Sequence, residues 1–396
     1  MKKYIPISEM LWFQEGPGVR NTQYTTSGVK LLNVANLING ELDITNTERY
    51  ISEDEAYGRY KHFLVDEGDF IIASSGIKVE YFDKKMGFAK KEQLPLCMNT
   101  STIRFKVLDK EQLSIRYFMY YLKSNHFKRQ LNYQITGSAQ LNFGPSHLKR
   151  MLFPIVGMEE QKQITEKMDA LYAIEASLKK ELNLFDELVK SRFIELFGDD
   201  KYESMRLGDV CIKITDGTHK TPQYLNKGIT FISAKNIVNG ELDFSDIKYI
   251  SENEYMDIQK RCQTEINDIL LSKSGSLGVP VIVRTEERLG LFESLAIIKY
   301  DRRKLIPEFL CEQLKTEKIQ RQFRTGIKGV AIKHLHLGVI ADIKIIVPNL
   351  EEQLKFADFV KHVDKSKYYN FTSYKYCVLA AKLIRQEWML CQTLSF

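Results

Sequence analysis

Two histidines and a pair of glycines are the first residues whose types and spacing could support chemistry. His334 and His336 are two positions apart, and side chains with that spacing point to opposite faces of a strand. Gly16-Pro17-Gly18 begins a glycine pattern, but no predicted strand precedes it and the third glycine of a dinucleotide-binding loop is missing. The sequence therefore predicts no catalytic residue and no metal site.

The cysteines give no support for a metal site either. They lie at positions 97, 211, 262, 311, 377 and 391, and no two are closer than fourteen residues. This spacing does not support a zinc ribbon or finger, and it is typical of free thiols in a reducing compartment. The chain also lacks a P-loop, a GxSxG sequence and the Asn-Pro-Pro-Tyr sequence of amino-methyltransferases. These absences favour a binding or scaffolding protein.

Basic and amide side chains at predicted turns are the remaining candidates. Lys and Arg bind phosphates, whereas Asn, Gln and Arg read base edges through paired hydrogen bonds. Taken singly, such residues are typical of solvated loops, and Asn36 and Asn236 could instead form turns. The candidate DNA contacts are Arg20, Asn21, Lys30, Asn36, Lys78, Thr218, His219, Lys220, Lys235, Asn236, Lys273, Ser274 and Lys328.

Length and charge limit the classes of protein to consider. The chain has 396 residues, a length that favours two or three domains. A net charge of +6 permits an anionic partner without requiring one. Pro6 and Glu9 interrupt the first apolar stretch, so no signal peptide is predicted. No apolar run approaches membrane-spanning length, and the cytoplasm is the expected location.

The chain contains an internal repeat. The segment Asn36–Asp43 returns as Asn236–Asp243 with six of its eight residues identical. Collinear matches continue on both sides, for example Gln130 with Gln322 and Pro154 with Pro348. Because chance does not produce so many ordered matches, the sequence predicts a tandem duplication of a unit of about 195 residues.

Each repeat begins with a region of mixed composition, 1–157 and 201–350. Short β-rich runs alternate there with Gly and Asn turns, which is typical of an α+β fold. Predicted strands are Phe70–Ala73 and Val279–Val283, and predicted helical patches cover about 112–131 and 305–324.

Each repeat ends with a long predicted helix. Glu159–Phe197 contains neither Pro nor Gly, and Gly198 ends it. The second copy covers 351–390, with Ser366 and Asn370 interrupting its apolar seam. We expect the two helices to pack antiparallel as a coiled coil, and two similar domains on such a rod suit a two-part linear target such as DNA. The seam of the first helix is predicted at Ile164, Met168, Leu171, Ile174, Leu178, Leu182, Phe185, Val189, Phe193 and Leu196.

The helical regions resemble a known family. The stretch Leu188–Asp199 closely resembles the end of the central helical region in specificity subunits of type I restriction–modification systems. The pairs Pro154 with Gln161 and Pro348 with Gln353 resemble the openings of the helical regions in that family. The resemblance covers essentially the whole chain, in the order domain, helix, domain, helix.

The second repeat also opens like a target-recognition domain of that family. Leu207–Val210 and Asp216–His219 carry this resemblance. The first repeat departs from it, because Gln14–Gly18 replaces the Asp-Gly-Thr-His sequence. We therefore expect the two domains to read different half-sites.

The resemblance implies an α+β fold in which two similar target-recognition domains are separated by long helices, with a pseudo-twofold relation between the repeats. The implied domains are residues 1–157 and 200–350, with helical spacers at 158–199 and 351–396. The subunit would catalyse nothing, and each domain would read half of a bipartite DNA site. The paired helices would set the spacer between half-sites.

The resemblance also implies partners. Two methyltransferase subunits with S-adenosylmethionine would dock on the helices, and two restriction subunits using ATP and magnesium would complete the complex. Candidate docking residues are Lys190, Arg192, Glu195, Lys382 and Glu387.

Three alternatives stay open at this point. The partner could be one chain in which nuclease and methyltransferase are fused. The protein could be a coiled-coil adaptor that binds no DNA, or an enzyme with an unrecognised site.

Overall fold

The computed structural model of the chain describes residues 3–45, 47–134, 141–198, 202–238, 240–326 and 334–390. The chain divides into two compact units. Unit 1 comprises Met1–Ser177 and Tyr374–Phe396, and unit 2 comprises Leu178–Ser373. Each unit contains one α+β region and parts of two long helices. Within the described ranges, no helix is long and apolar enough to cross a membrane.

The α+β region of unit 1 is built from short elements. Its strands are Lys3–Pro6 (β1), Leu11–Glu15 (β2), Val29–Leu32 (β3), Leu37–Ile38 (β4), Glu41–Leu42 (β5), Tyr50–Ile51 (β6), Phe70–Ala73 (β7), Ser75–Ile77 (β8), Met86–Phe88 (β9), Leu96–Met98 (β10), Thr102–Val107 (β11), Leu141–Asn142 (β12) and Leu152–Ile155 (β13). Its helices are Ile7–Met10 (α1), Glu53–Tyr57 (α2), Ile115–Leu122 (α3), Asn125–Gln134 (α4) and Pro145–Leu148 (α5).

Two sheets organise unit 1. The main sheet is antiparallel and has the strand order β2-β11-β7-β9. The second sheet has the order β10-β3-β6, with β10 parallel to β3. All four residues of β7 are buried, because this predicted strand of apolar residues lies inside the main sheet and packs on both faces.

Unit 2 is built from a similar series of elements. Its strands are Ser204–Arg206 (β14), Cys211–Asp216 (β15), Ile229–Ile232 (β16), Ile237–Val238 (β17), Glu241–Leu242 (β18), Lys248–Ile250 (β19), Ile269–Ser272 (β20), Pro280–Ile282 (β21), Leu289–Leu291 (β22), Leu295–Tyr300 (β23) and Lys344–Ile346 (β24). Its shorter helices are Glu252–Arg261 (α7), Pro307–Lys315 (α8), Glu317–Gly326 (α9) and Leu337–Asp342 (α10).

The sheets of the two units have the same topology. The main sheet of unit 2 has the order β15-β23-β20-β21, which matches β2-β11-β7-β9 strand for strand. The second sheet, β19-β16-β22, again has one parallel and one antiparallel pair. The repeat predicted from the sequence is therefore confirmed at the level of strand order.

Polar contacts repeat as well. Gln130 exchanges two hydrogen bonds with the backbone of Leu152, both at 2.8 Å. Gln322 makes the same pair of bonds with Lys344, at 3.1 and 2.7 Å. These two glutamines were aligned by the sequence repeat, and the structure shows that they perform the same task in both units.

The glutamines at the start of the long helices are also structural. Gln161 is fully buried, accepts a hydrogen bond from Ser114 N at 2.9 Å and donates to two backbone carbonyls at 2.8 Å. Gln353 accepts from Ile306 N at 3.0 Å and likewise donates twice at 2.8 Å. The amide nitrogen donates twice and the amide oxygen accepts once in each case, so each glutamine anchors a long helix to its α+β region.

The predicted helical patches are interrupted in both units. Residues 112–131 contain two helices rather than one, because the Ser124 hydroxyl accepts a hydrogen bond from Phe127 N at 3.3 Å and caps α4. Thr316 separates α8 from α9 at the corresponding place, and its hydroxyl donates to Gln313 O at 2.7 Å. The predicted apolar face is confirmed, since Tyr117, Tyr121 and Phe127 are all fully buried.

The two long helices span Met158–Phe197 (α6) and Leu350–Leu390 (α11), in agreement with the sequence. Gly198 follows α6 directly, and its N–H donates to Ile194 O at 2.7 Å. At about 1.5 Å per residue, α6 is about 60 Å long.

Contacts within unit 2 show that α6 and α11 run antiparallel. Glu181 pairs with Asn370 at 2.8 Å, and Asp186 pairs with Lys367 at 2.7 Å. Further along α6, the rings of Phe193 and Phe356 lie 5.4 Å apart. Because positions rise along α6 as they fall along α11, the predicted antiparallel pairing is confirmed.

The predicted seam is correct at the ends of α6 but not throughout. Met168 is buried in unit 1 and Val189 and Phe193 are buried in unit 2. Ile174 is 50% exposed, so its assignment to the seam was wrong. At the next residue of α6, a hydrogen bond between Glu175 and the Tyr374 hydroxyl of α11 joins the helices. A polar contact therefore takes the place of the predicted apolar one.

Candidate nucleic-acid interface

Three loops meet at one end of the main sheet of unit 2. Strands β15 and β20 end there and β23 begins there, because neighbouring strands are antiparallel. Glu293 N donates to Thr218 O at 3.0 Å, and Lys273 N donates to Ser294 O at 2.8 Å. We call residues 216–220, 273–274 and 291–294 the loop end of unit 2.

Unit 1 has a loop end of the same construction. It comprises residues 15–21, 74–75 and 99–101, where β2 and β7 end and β11 begins. Thr100 N donates to Pro17 O at 2.8 Å, and Ser74 N donates to Ser101 O at 2.8 Å. By these bonds, Pro17 of unit 1 is equivalent to Thr218 of unit 2. Thr100 is likewise equivalent to Glu293, and Ser74 to Lys273.

A glycine is required at the first turn of both loop ends. A Cβ atom on Gly217 would lie 2.0 Å from the Leu291 carbonyl oxygen, and one on Gly16 would lie 2.1 Å from the Asn99 carbonyl oxygen. Both contacts are with backbone, so a side chain could not be accommodated by a rotamer change. Two chain segments approach closely here, and the Asp-Gly and Glu-Gly pairs of the sequence mark that approach.

The loop end of unit 2 carries a charged cluster around Asp216. The Asp216 carboxylate is almost fully buried and accepts hydrogen bonds from Lys273 and Arg261. His219 Nε2 lies 3.4 Å from the same carboxylate, and His219 Nδ1 lies 2.7 Å from Glu293 Oε2. Burial raises the pKa of Asp216, but the hydrogen bond from Lys273 and the charges of Lys273 and Arg261 outweigh it and hold the pKa below its usual value.

The structure brings most of the predicted contacts of unit 2 together. His219 and Lys220 are exposed at the loop end, and Thr218 and Ser274 are partly exposed there. Lys235 is exposed in a neighbouring turn that is joined to the loop end by a hydrogen bond from Ala234 N to Ser294 Oγ at 2.9 Å. Lys273 is only 8% exposed and faces inward, while Lys328 lies outside the described residues.

The predicted contacts of unit 1 are more scattered. Arg20 and Asn21 are exposed at the loop end, and Lys78 is exposed just beyond β8. Lys30 lies elsewhere, within β3, and its ammonium group donates to Ile44 O at 3.2 Å. An internal hydrogen bond thus uses the Lys30 side chain, and we leave it out of the proposed interface.

Asn36 and Asn236 are turn residues in the structure. Both are buried, at 2% and 7% exposure. Each side-chain oxygen accepts from a backbone N–H three residues earlier, and each amide nitrogen donates to the carbonyl of Asp43 or Asp243. The turn-forming interpretation explains every one of these bonds, so a direct base contact by either asparagine would require the turn to open.

Sequence reasoning missed four residues at or beside the loop ends. Glu15, Asp216, Arg261 and Glu293 were not among the predicted contacts, although Glu15 and Asp216 both precede a turn glycine. Their shared position before a glycine could have identified both carboxylates from the sequence. Arg261 ends α7, and nothing in its local sequence indicates that it reaches a carboxylate 45 residues away.

The predicted docking residues of α6 lie on its surface. Lys190 pairs with Glu187 and Arg192 pairs with Glu195, both at 2.8 Å within the helix. Such exposed pairs contribute little to stability, which leaves their charges available to a partner. The side chains of Lys382 and Glu387 lie outside the described residues.

Metal sites and thiols add no further candidate. Within the described ranges, no group of three or more His, Cys, Asp or Glu side chains is placed to hold a metal ion. The cysteines at 97, 262, 311 and 377 are buried free thiols, and Cys211 is a partly buried one.

Comparison with known protein families identifies the family of this chain. The model of the type I restriction modification DNA specificity domain matches the chain twice, over residues 23–184 and 199–369. The chain belongs to this family. It is a non-catalytic DNA-recognition subunit with two specificity domains, and the alternative of an adaptor that binds no DNA is set aside.

Named relatives agree with this assignment. The chain is 24% identical over 359 residues to the specificity subunit of the type I restriction enzyme EcoBI from Escherichia coli, covering 82% of this chain and 71% of that protein. It is 20% identical over 332 residues to the MjaVIII specificity subunit of Methanocaldococcus jannaschii, covering 77% and 74%.

Solved structures show the same fold. The type I restriction–modification S subunit from M. genitalium aligns with a TM-score of 0.52 at 15% identity, covering 97% of this chain and 95% of that one. A chain from a study of type I complex assembly and conformational transition aligns with a TM-score of 0.55 at 14% identity, covering 98% and 97%.

Proposed function

We propose that the loop end of each unit reads one half of a bipartite DNA site. The recognition domains would be residues 1–157 and 200–350, and the helical spacers 158–199 and 351–396. The observation that carries this proposal is the pair of loop ends, which share one backbone arrangement but present different side chains. Equivalent scaffolds with different side chains are suited to reading two different sequences.

Charge supports a DNA-facing role for the loop ends. Exposed Arg20 in unit 1 and exposed Lys220 and Lys235 in unit 2 can contact phosphates, which position a protein on the duplex. Neighbouring Asn21, Thr218 and Ser274 can donate and accept hydrogen bonds at base edges. The loop ends thus combine the two kinds of contact that specific recognition needs.

The long helices would set the spacer and dock the partners. Lys190, Arg192 and Glu195 are candidate contacts on α6, and Lys382 and Glu387 are candidates on α11. The proposed partners are two methyltransferase subunits, which use S-adenosylmethionine, and two restriction subunits, which use ATP and magnesium. A cytoplasmic location follows from this role and stays a prediction.

Mapping of methylated bases in the host genome tests the proposal. With the chain and its methyltransferase present, we expect methylation at one bipartite sequence whose two specific blocks are separated by a constant non-specific spacer. A strain that lacks only this chain should lose those marks. Methylation at a continuous palindrome, or marks that persist without the chain, would contradict the proposal.

A further inference from the structure

Glu15 and Asp216 occupy equivalent positions in the two units. Each is the last residue of the edge strand of the main sheet, and each precedes the glycine of the close backbone approach. In the strand register, Glu15 lies opposite Ile103 and Asp216 lies opposite Ala296, which are themselves equivalent. The repeat therefore places a carboxylate at the same point of both loop ends.

The surroundings of the two carboxylates differ. Lys273 and Arg261 neutralise Asp216 in unit 2. In unit 1, Ser74 occupies the position of Lys273. The counterpart of α7 is α2, which starts at an equivalent serine cap but ends at Tyr57, so it has no residue in the place of Arg261.

Glu15 Oε2 lies beside Gly144, 3.3 Å from the point that a Cβ atom on this glycine would occupy. Two further positions of the loop end carry uncharged residues in unit 1. Gly18 stands where unit 2 has His219, and Thr100 stands where unit 2 has Glu293. Among the residues that the structure describes, none forms a hydrogen bond or an ion pair with the Glu15 carboxylate. Burial raises the pKa of Glu15.

Glu15 is partly exposed, so water can solvate its carboxylate in the free protein. Where bound DNA displaces this water, the carboxylate needs a donor from the DNA. DNA phosphates carry negative charge and would be repelled. The exocyclic amino groups of cytosine and adenine, in contrast, are donors exposed in the major groove. An ionised carboxylate only accepts hydrogen bonds, so it rejects the keto groups of guanine and thymine at the same position.

We infer that Glu15 is a specificity-determining residue of the first recognition domain and accepts a hydrogen bond from the exocyclic amino group of one base in its half-site. This inference rests on the proposed function, because it requires the loop end to face DNA. Asp216, by contrast, positions Lys273 and Arg261 and contacts no base. At equivalent positions, and among the described residues, unit 1 therefore presents an unpaired carboxylate, whereas unit 2 holds a buried and paired one.

The test uses the complex of this chain with its methyltransferase, incubated with a duplex library in which both half-sites are randomised. For Glu15→Gln, we expect preference for an amino-bearing base to fall about ten-fold or more at one position of the first half-site, because the amide both donates and accepts. The second half-site should be unchanged. Ser74→Lys places a lysine where unit 2 has Lys273. This variant should reduce the base preference at the same position of the first half-site.

Each other outcome is decisive. Unchanged preference in Glu15→Gln would overturn the inference, as would loss of both half-sites together, which would indicate a purely structural role. If the wild-type complex selects no bipartite sequence, the proposed function itself fails, and this result is distinguishable because it does not involve the variants. A matched control is Asp216→Asn, which should leave the first half-site as it is in the wild type.

Discussion

The two loop ends share a backbone and differ in charge. In both, a carboxylate ends the edge strand, a glycine allows two chain segments to meet, and equivalent hydrogen bonds join the loops. Unit 2 surrounds its carboxylate with Lys273, Arg261 and His219. Among the residues that the structure describes in unit 1, none forms an ion pair with Glu15. The contrast teaches that the repeat conserves the scaffold while the side chains at the loop end vary, as expected of a protein that reads two unlike half-sites.

The largest expected effect is on the stability of unit 2. Asp216→Asn leaves Lys273, which is 8% exposed, without its counter-charge. We expect a loss on the order of 3 kcal/mol in the free energy of unfolding, measured by denaturant titration. Glu15→Gln at the equivalent position is the matched control and should show no such loss. Equal losses in both variants would break the comparison.

The pH dependence of this loss has a defined sign. The folded-state pKa of Asp216 is lowered, so its stabilising contribution is present above the usual aspartate range and disappears as the pH falls through the lowered pKa. The difference between wild type and Asp216→Asn should therefore persist at about pH 5 and shrink only below about pH 4.

The shared scaffold can be tested at its glycines. Gly217→Ala and Gly16→Ala each force a Cβ against a backbone carbonyl. We expect both variants to lose about 1–3 kcal/mol of stability, each confined to its own unit, as reported by hydrogen exchange of that unit. If only one variant were destabilised, the two loop ends would not share one construction.

A smaller effect of opposite sign is expected at Glu15. Its pKa is raised by burial, so the ionised carboxylate destabilises the folded state above that pKa and the cost disappears as the pH falls through it. Glu15→Gln should raise the Tm by no more than about 2 °C at neutral pH, with the gain fading toward acid pH in calorimetry. A fall in Tm at neutral pH would show that the carboxylate has a partner in the free protein.

The smallest expected effect is on the salt dependence of DNA binding. Arg20→Ala and Lys220→Ala should each weaken binding uniformly across sequences and reduce the slope of log affinity against log salt by about one. Lys110→Ala, at the opposite end of the main sheet, serves as the control and should leave the slope unchanged. Fluorescence anisotropy over a salt series measures all three.

Much of the fold could be predicted from the sequence, and the reasons are local. The matched segments at Asn36–Asp43 and Asn236–Asp243 revealed the repeat, and the apolar spacing in Glu159–Phe197 revealed the long helix. The interruption at Ser124 was missed although its cap is local, because Ser124 bonds Phe127 N only three residues on. The exposure of Ile174 was missed because the neighbouring contact between Glu175 and Tyr374 joins residues distant in sequence.

The candidate site was predictable only in part. Exposed Arg20, His219 and Lys220 could be named because turn sequences place them on the surface. The burial of Lys273 beside Asp216 and the reach of Arg261 could not be named, since three separate loops create that cluster. Sequence reasoning thus located the loops but not the charges that distinguish them.

Exchange of one recognition domain tests the central claim most directly. Residues 200–350 would be replaced by the corresponding domain of another family member, and the hybrid would be expressed with the methyltransferase of this system while methylated sites are mapped. We predict a new second half-site, with the first half-site and the spacer unchanged, because each loop end reads DNA with its own side chains. A change in both half-sites would contradict the account.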